Sequence, residues 1–315
     1  MSVEILNGKF YNQSMSIKRI LAIFMVFSLL SGCGKLPYSK RYPDAQPTAE
    51  EIPLQQEVVL GEEAFREIIQ KETLSLDGQL ITIVERVGRQ LAAVSPVPNL
   101  KWEFHLIESG KKNAIALPGG KVAIYTGILP VCANEAGLAA LMSHQIAHDI
   151  ARHRSERLAA VMETGIRTTP IGLSNSKNKD MLLSALGIET LENWVGPFNP
   201  NHEFEADDFG LMLMAKAGYD PGEAERFWNR VDKMQQGARP PELIHFHPVD
   251  TRRLQDIRRL LPKANRAYRT NPLKHGLGQS FLYILSRRKI QEMNNKSSEP
   301  AKSPLPESFP PANSH

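Results

Sequence analysis

The segment LMSHQIAHDIARHRSER, residues 141–157, decides how the rest of the chain reads. It lies in a stretch that predicts one long helix from about Asn134 to Val161. Asn134 suits the N-cap, and Glu135 complements the positive end of the helix dipole. His144 and His148 stand four residues apart, so on a helix both imidazoles leave the same face. Two ring nitrogens at that spacing can meet one Zn²⁺ at about 2.0–2.1 Å. The pair alone settles nothing. With nine histidines in 315 residues, an H-x-x-x-H spacing arises easily by chance, and an exposed or core-satisfied pair is the plainer alternative.

Sixty residues downstream the chain reads HEFEADDFG, residues 202–210, at the start of a second predicted helix, about Asn201 to Ala217, ended by Gly218 with Pro221 beyond it. Glu203 and Asp207 repeat the four-residue step. Two histidines from one helix and a glutamate from another make a three-ligand zinc site with an open position, as catalytic zinc requires; a closed four-ligand site is structural. Asp207, one turn on, is placed to orient a ligand histidine through its other ring nitrogen. Glu205 is expected to face elsewhere and be solvated. Taken alone, this acidic run reads as a helix start favoured by the dipole.

Around these two helices, the pattern suggests a small α+β domain of mostly helical character. Helical periodicity begins near Gln56, and Leu80, Val84, Val87 and Leu91 mark the buried face of the next helix. KWEFHLIE (101–108) alternates Trp102, Phe104 and Leu106 as a half-buried strand does. In NAIALPGGKVAIYTG (113–127), two apolar runs flank Pro118-Gly119-Gly120, a hairpin-like turn between strands. Residues 165–198 read as loop with a short helix, and further helices are expected near 222–236 and 249–261. No internal repeat is present. The organisation expected is a leader over 1–32, a tether over 33–55, one domain over 56–265, and a C-terminal helix with a Pro-rich, disordered tail over 266–315.

Composition excludes some classes. Hydrophobic content of 42% and charged content of 23% are ordinary for a soluble globular chain. The formal charge is +4, and removing residues 1–32, with three basic side chains and one acidic, leaves +2. That bias is weak and no basic stripe interleaves with aromatics, so nucleic acid is not an expected partner. The N-terminus is more telling. Met15-Ser-Ile-Lys-Arg precedes an apolar run from Ile20 to Leu30, too short to span a bilayer and suited to a signal-peptide core. The run ends Leu30-Ser31-Gly32-Cys33, which resembles a bacterial lipobox. That makes Cys33 the lipidated first residue of a mature lipoprotein, with Met15 the better start. Because the next residue is Gly34 and not Asp, a protein of a double-membrane bacterium would pass to the outer membrane and face the periplasm. Cys132, the other cysteine, is expected to be a buried apolar residue with no disulfide.

Four blocks now fit together. NAIALPGGKVAIYTGIL, NEAGLAALMSHQIAHDIARHRSER, EFEADDFGLMLMAKAGYDP and HPVDTRR follow one another over residues 113–253. In that order they resemble the zinc metallopeptidase family of the CAAX prenyl proteases, the HtpX heat-shock protease and bacterial lipoprotein peptidases. The resemblance implies a gluzincin-like domain with a small sheet over the zinc helix. It implies one Zn²⁺ per chain held by His144, His148 and Glu203, with His247 and Arg253 at the site. It also implies polypeptide substrates or clients and, for the lipoprotein members, proteolytic quality control of envelope proteins or a role beside the outer-membrane assembly machinery. His153, His202 and His245 are left as surface residues.

The chain departs from the family pattern twice. FNPNHE (198–203) stands where the family usually has Ser-Arg before the third ligand. More important, Gln145 replaces the glutamate of H-E-x-x-H. That glutamate takes a proton from the attacking water and passes it to the leaving amine. A glutamine is nearly isosteric and still hydrogen-bonds, but it has no proton-accepting form in this role. General acid–base catalysis is worth roughly 10²–10⁴-fold. The sequence therefore predicts a chain that binds metal and polypeptide but hydrolyses weakly or not at all. The alternative is a non-catalytic pseudopeptidase acting as chaperone or adaptor.

Overall fold

The computed structural model describes residues 54–164, 179–188, 195–237, 241–278 and 280–298. The leader, Cys33 and the Pro-rich C-terminus lie outside them. In chain order the elements are α1 (Leu54–Lys71), α2 (Gly78–Ala93), β1 (Glu103–Ile107), β2 (Ala114–Leu117), β3 (Lys121–Tyr125), α3 (Leu129–Cys132), α4 (Glu135–Ile150), α5 (His153–Glu163), α6 (Lys179–Ala185), α7 (Pro200–Lys216), α8 (Gly222–Gln235), α9 (Leu243–Phe246), α10 (Thr251–Thr270) and α11 (Phe281–Ser298). The result is the mostly helical α+β domain expected. None of the described helices is long and apolar enough to cross a membrane.

The sheet has the order β1-β3-β2. β2 and β3 form an antiparallel hairpin, Leu117 opposite Lys121, and β1 pairs parallel to β3, Glu103 opposite Lys121. Between the hairpin strands, Gly119 and Gly120 take φ of 92° and 78°, left-handed values that side chains resist. The two-residue period of the strands divides the core. Ala114, Ala116, Val122 and Ile124 join α2, α4, α7, α8 and α10. Ile115, Leu117, Ala123 and Tyr125 join α1, α5 and α6. Both faces of β2 and β3 are thus buried, which explains their nearly continuous apolar sequence. On α2, Leu80, Val84, Val87 and Leu91 all lie inside, each adding about 1.5–3 kcal/mol by burial.

α4 is the central helix. Asn134 caps it, its side chain accepting from the Gly137 N–H at 2.9 Å, and every residue from Ala136 to His148 is buried. A helix apolar nearly all round belongs in a core. It packs against α7 and lies under β2, the edge strand of the sheet.

The expected single helix from Asn134 to Val161 is two. α4 stops at Ile150, Arg152 takes a left-handed φ of 61°, and α5 begins at His153. Arg152 gains an ion pair with buried Glu57 of α1 at this point. The break turns the chain so that α5 aims Arg154 back at α4, a change of direction that matters to the site. α10 is longer than expected, running from the Asp250 cap to Thr270 with Pro262 inside it.

Candidate metal centre

His144 and His148 leave the same face of α4, and Glu203 comes from the first turn of α7, whose cap is Asn199. His247 arrives from the turn after α9. Ligand atoms of these four residues all lie within 4.8 Å of one another, and all four residues are buried. The spacings form a nearly regular figure. His144 Nε2 is 3.1 Å from His148 Nε2 and 3.1 Å from His247 Nδ1. Glu203 Oε1 is 3.2 Å from His148 Nε2 and 2.9 Å from His247 Nδ1. A tetrahedron with metal–ligand distances of about 2.0–2.1 Å has edges of about 3.3–3.4 Å. Three ring nitrogens and a carboxylate converging at such distances suit a divalent cation. Glu203 Oε2 adds to this: Arg253 Nη1 lies 2.6 Å away, yet no group is aligned to hydrogen-bond that oxygen.

Outer contacts fix the ligands. Asp207 Oδ1 lies 2.9 Å from His144 Nδ1, the orienting contact expected of it. Arg253 donates to Asp207 through Nε at 2.8 Å and Nη2 at 3.0 Å, and its guanidinium lies 3.8 Å over the Trp228 ring. Burial would push the Glu203 and Asp207 carboxyls up, but Arg253 and the neighbouring histidines outweigh it and hold both below their usual range. Burial also pulls His144 down, against Glu203 and Asp207, which leave it raised. His148 falls well below its ordinary value through burial, and burial takes His247 down to about 4.

Two residues expected on the surface are part of this shell. His153 is buried, its Nδ1 3.0 Å from Nδ1 of His148, and its Nε2 lies 3.3 Å from Glu205. With His148 Nε2 facing the cluster, its Nδ1–H donates to His153, which donates onward to Glu205. Glu205 is therefore engaged, not solvated. His202, also expected to be exposed, stacks on His153 with centroids 4.2 Å apart and meets Glu156 at 2.7 Å. The break at Arg152 produces these contacts, and nothing in helical spacing announces it. His245 is exposed as expected.

Gln145 is fully buried beside the cluster. Its Oε1 accepts from Arg154 Nη2 at 2.9 Å, and its Nε2 lies 2.9 Å from His247 Nε2. Glu135 is remote, on the first turn of α4, bound to Arg86. The FNPNHE segment supplies Phe198, whose ring lies 4.1 Å from His148 and 5.0 Å from His247, centroid to centroid. An apolar lid stands where the resemblance leads one to expect a polar pair.

A buried histidine pair on one helix, a glutamate from the next and a small sheet above them define a zinc metallopeptidase of gluzincin type. The sequence profile of Peptidase family M48 matches residues 80–261, more than half the chain, and the chain belongs to that family, whose members use zinc. It is 36% identical over 197 residues to the Mitochondrial metalloendopeptidase OMA1 of Schizosaccharomyces pombe, covering 61% of this chain and 56% of that protein. To the protein of the same name in Saccharomyces cerevisiae it is 28% identical over 296 residues, 83% of this chain and 82% of that one. To the Beta-barrel assembly-enhancing protease of Escherichia coli it is 27% identical over 251 residues, 76% of this chain and 49% of that one. The chain spans about half the length of the first and third of these relatives.

Proposed function

We propose that this chain is a lipid-anchored envelope member of the family that holds one Zn²⁺ on His144, His148 and Glu203, binds polypeptides, and hydrolyses them weakly or not at all. Gln145 carries this reading. It occupies the place of the general base, fully buried and bonded on both sides at 2.9 Å, and its amide has no form that accepts a proton from water.

The remaining parts divide the work. Zinc on these ligands supplies Lewis acidity toward a scissile carbonyl and a water. Glu203 provides the anionic ligand, Asp207 orients His144, and His153 with Glu205 orients His148. Arg253 neutralises the buried carboxylates and stands ready to favour a developing oxyanion. Polypeptide adds along the edge of β2, above α4. Because Phe198 and the ligands are buried, binding requires the segment around Phe198 to move.

The lipobox at Leu30–Cys33 supports a lipid anchor at Cys33 and a place on the periplasmic face of the outer membrane. A relative named for assembly of β-barrels supports envelope clients and quality control there. The second reading, a non-catalytic chaperone or adaptor in outer-membrane assembly, draws on the same glutamine and on the closed centre. Zinc content together with cleavage of an unfolded protein by the purified chain tests both. Stoichiometric zinc with slow, chelator-sensitive cleavage supports the impaired peptidase. Zinc with tight binding and no cleavage supports the chaperone or adaptor. No zinc after incubation with excess metal and dialysis removes both.

A further inference from the structure

His247 brings a fourth ligand-type atom to the cluster, yet the hydrogen bonds around Gln145 determine whether that atom has a lone pair to offer. A guanidinium only donates. With Arg154 Nη2 at 2.9 Å, the atom of Gln145 that faces it must be the carbonyl oxygen, so the usual ambiguity between amide O and N does not arise here. The amide N–H₂ is then the group 2.9 Å from His247 Nε2. That group donates, so His247 Nε2 must accept. A neutral imidazole has one donor and one acceptor, which puts the proton of His247 on Nδ1. The Glu203 carboxylate, 2.9 Å from Nδ1, receives it. A protonated ring nitrogen has no lone pair for a metal.

Arg154 is itself held for this task. It is fully buried, its Nε donates to the Leu186 carbonyl at 3.0 Å, and its guanidinium lies 5.3 Å from the Phe198 ring centroid. It reaches Gln145 because the left-handed Arg152 turns α5 back along α4.

We propose that Arg154 is a positioning residue: through the Gln145 amide it sets the His247 tautomer, keeps His247 off the metal and leaves the fourth coordination position free for a ligand from outside the chain. The proposal rests on the zinc centre proposed above. Without Arg154 the amide is free to turn, offer its oxygen to His247 Nε2–H and release Nδ1 to the metal.

The test uses the mature chain loaded with Co²⁺, whose visible spectrum reports coordination, and azide as the outside ligand. The unaltered chain should bind azide with a clear spectral change. Arg154→Met should give the stronger absorption of a four-ligand centre and weaken azide binding about tenfold or more, since the competent open state becomes a minor one. Adding His247→Ala to Arg154→Met should restore azide binding. An Arg154→Met chain with the spectrum and azide affinity of the unaltered one overturns the proposal. Ring ¹⁵N NMR of His247 in the unaltered, metal-free chain tests the same logic even if Arg154→Met does not fold. Protonated Nδ1 with unprotonated Nε2 is expected, and the reverse overturns it. Failure of the unaltered chain to hold cobalt refutes the metal centre itself and leaves the tautomer to be decided by that spectrum.

Discussion

At the scale of single residues, two carboxylates and one arginine explain how a buried site tolerates its own charge. Glu203 and Asp207 are both buried, and Arg253 reaches both. Removing the only guanidinium between two buried anions leaves charge unpaired, a loss of about 3–5 kcal/mol for such a site. Arg253→Met should therefore lower the thermal midpoint sharply in the metal-free chain and less with zinc bound, because the dication offsets part of the lost charge. Equal losses in both states would count against a shared centre. The pH dependence has a definite sign. Both carboxyls are held below their usual values in the fold. Their contribution is thus complete above the unfolded range of about 4 and disappears as the pH falls through the lower folded values. Urea unfolding of the metal-free chain between pH 3 and 7 reads this, and Asp207→Asn should flatten the acid limb. For the metal, His148→Ala should abolish stoichiometric zinc and Glu203→Ala should weaken binding strongly, as elemental analysis after dialysis will show.

At the scale of elements, the site depends on how closely α7 lies on α4. At Gly210 a Cβ would stand 3.1 Å from the His144 backbone nitrogen and 3.2 Å from its Cα. Gly210→Ala must push the two helices apart by tenths of an ångström, just where one carries the histidines and the other Glu203. Such overpacking costs about 1–3 kcal/mol. Zinc affinity should fall although no ligand has changed; unaltered affinity at equal stability would show that the helix separation is not what sets the ligand geometry. This pairing was half legible in advance. The four-residue steps at His144/His148 and Glu203/Asp207 fix faces on each helix, and the Asn134 cap and Pro118-Gly119-Gly120 turn are local signals that survive in the fold. The break at Arg152 was not legible, because it is stabilised by Glu57, 95 residues away. With it were hidden His153, Glu205 and Arg154, whose roles exist only after α5 turns back. The parallel pairing of β1 with β3 is likewise non-local.

At the scale of the whole molecule, the sequence anticipated a mostly helical domain around one metal site because the four family-like blocks come from α4, α7, the hairpin and the turn before α10. The proposed anchor makes a further prediction. Cys33→Ser should release the chain from membranes or leave its leader uncleaved, and mass analysis of the N-terminal peptide should find lipid on the unaltered chain alone. Fractionation that does not change, with no lipid found, contradicts the anchor. The central claim is that this molecule retains the metal- and polypeptide-binding parts of a peptidase and lacks the proton carrier at position 145. Gln145→Glu tests it most directly. The side chains are almost the same size, Arg154 stands at 2.9 Å to hold a carboxylate ionised, and the added charge lies beside a dication, so zinc affinity should not fall. Zinc-loaded chains with glutamine and with glutamate are compared on an unfolded protein substrate, each with a chelator control. The account predicts chelator-sensitive cleavage that is roughly 10²–10⁴-fold faster with glutamate, while both forms bind the substrate equally. Equal chelator-sensitive cleavage by the two forms would contradict it, since another residue would then be supplying the base.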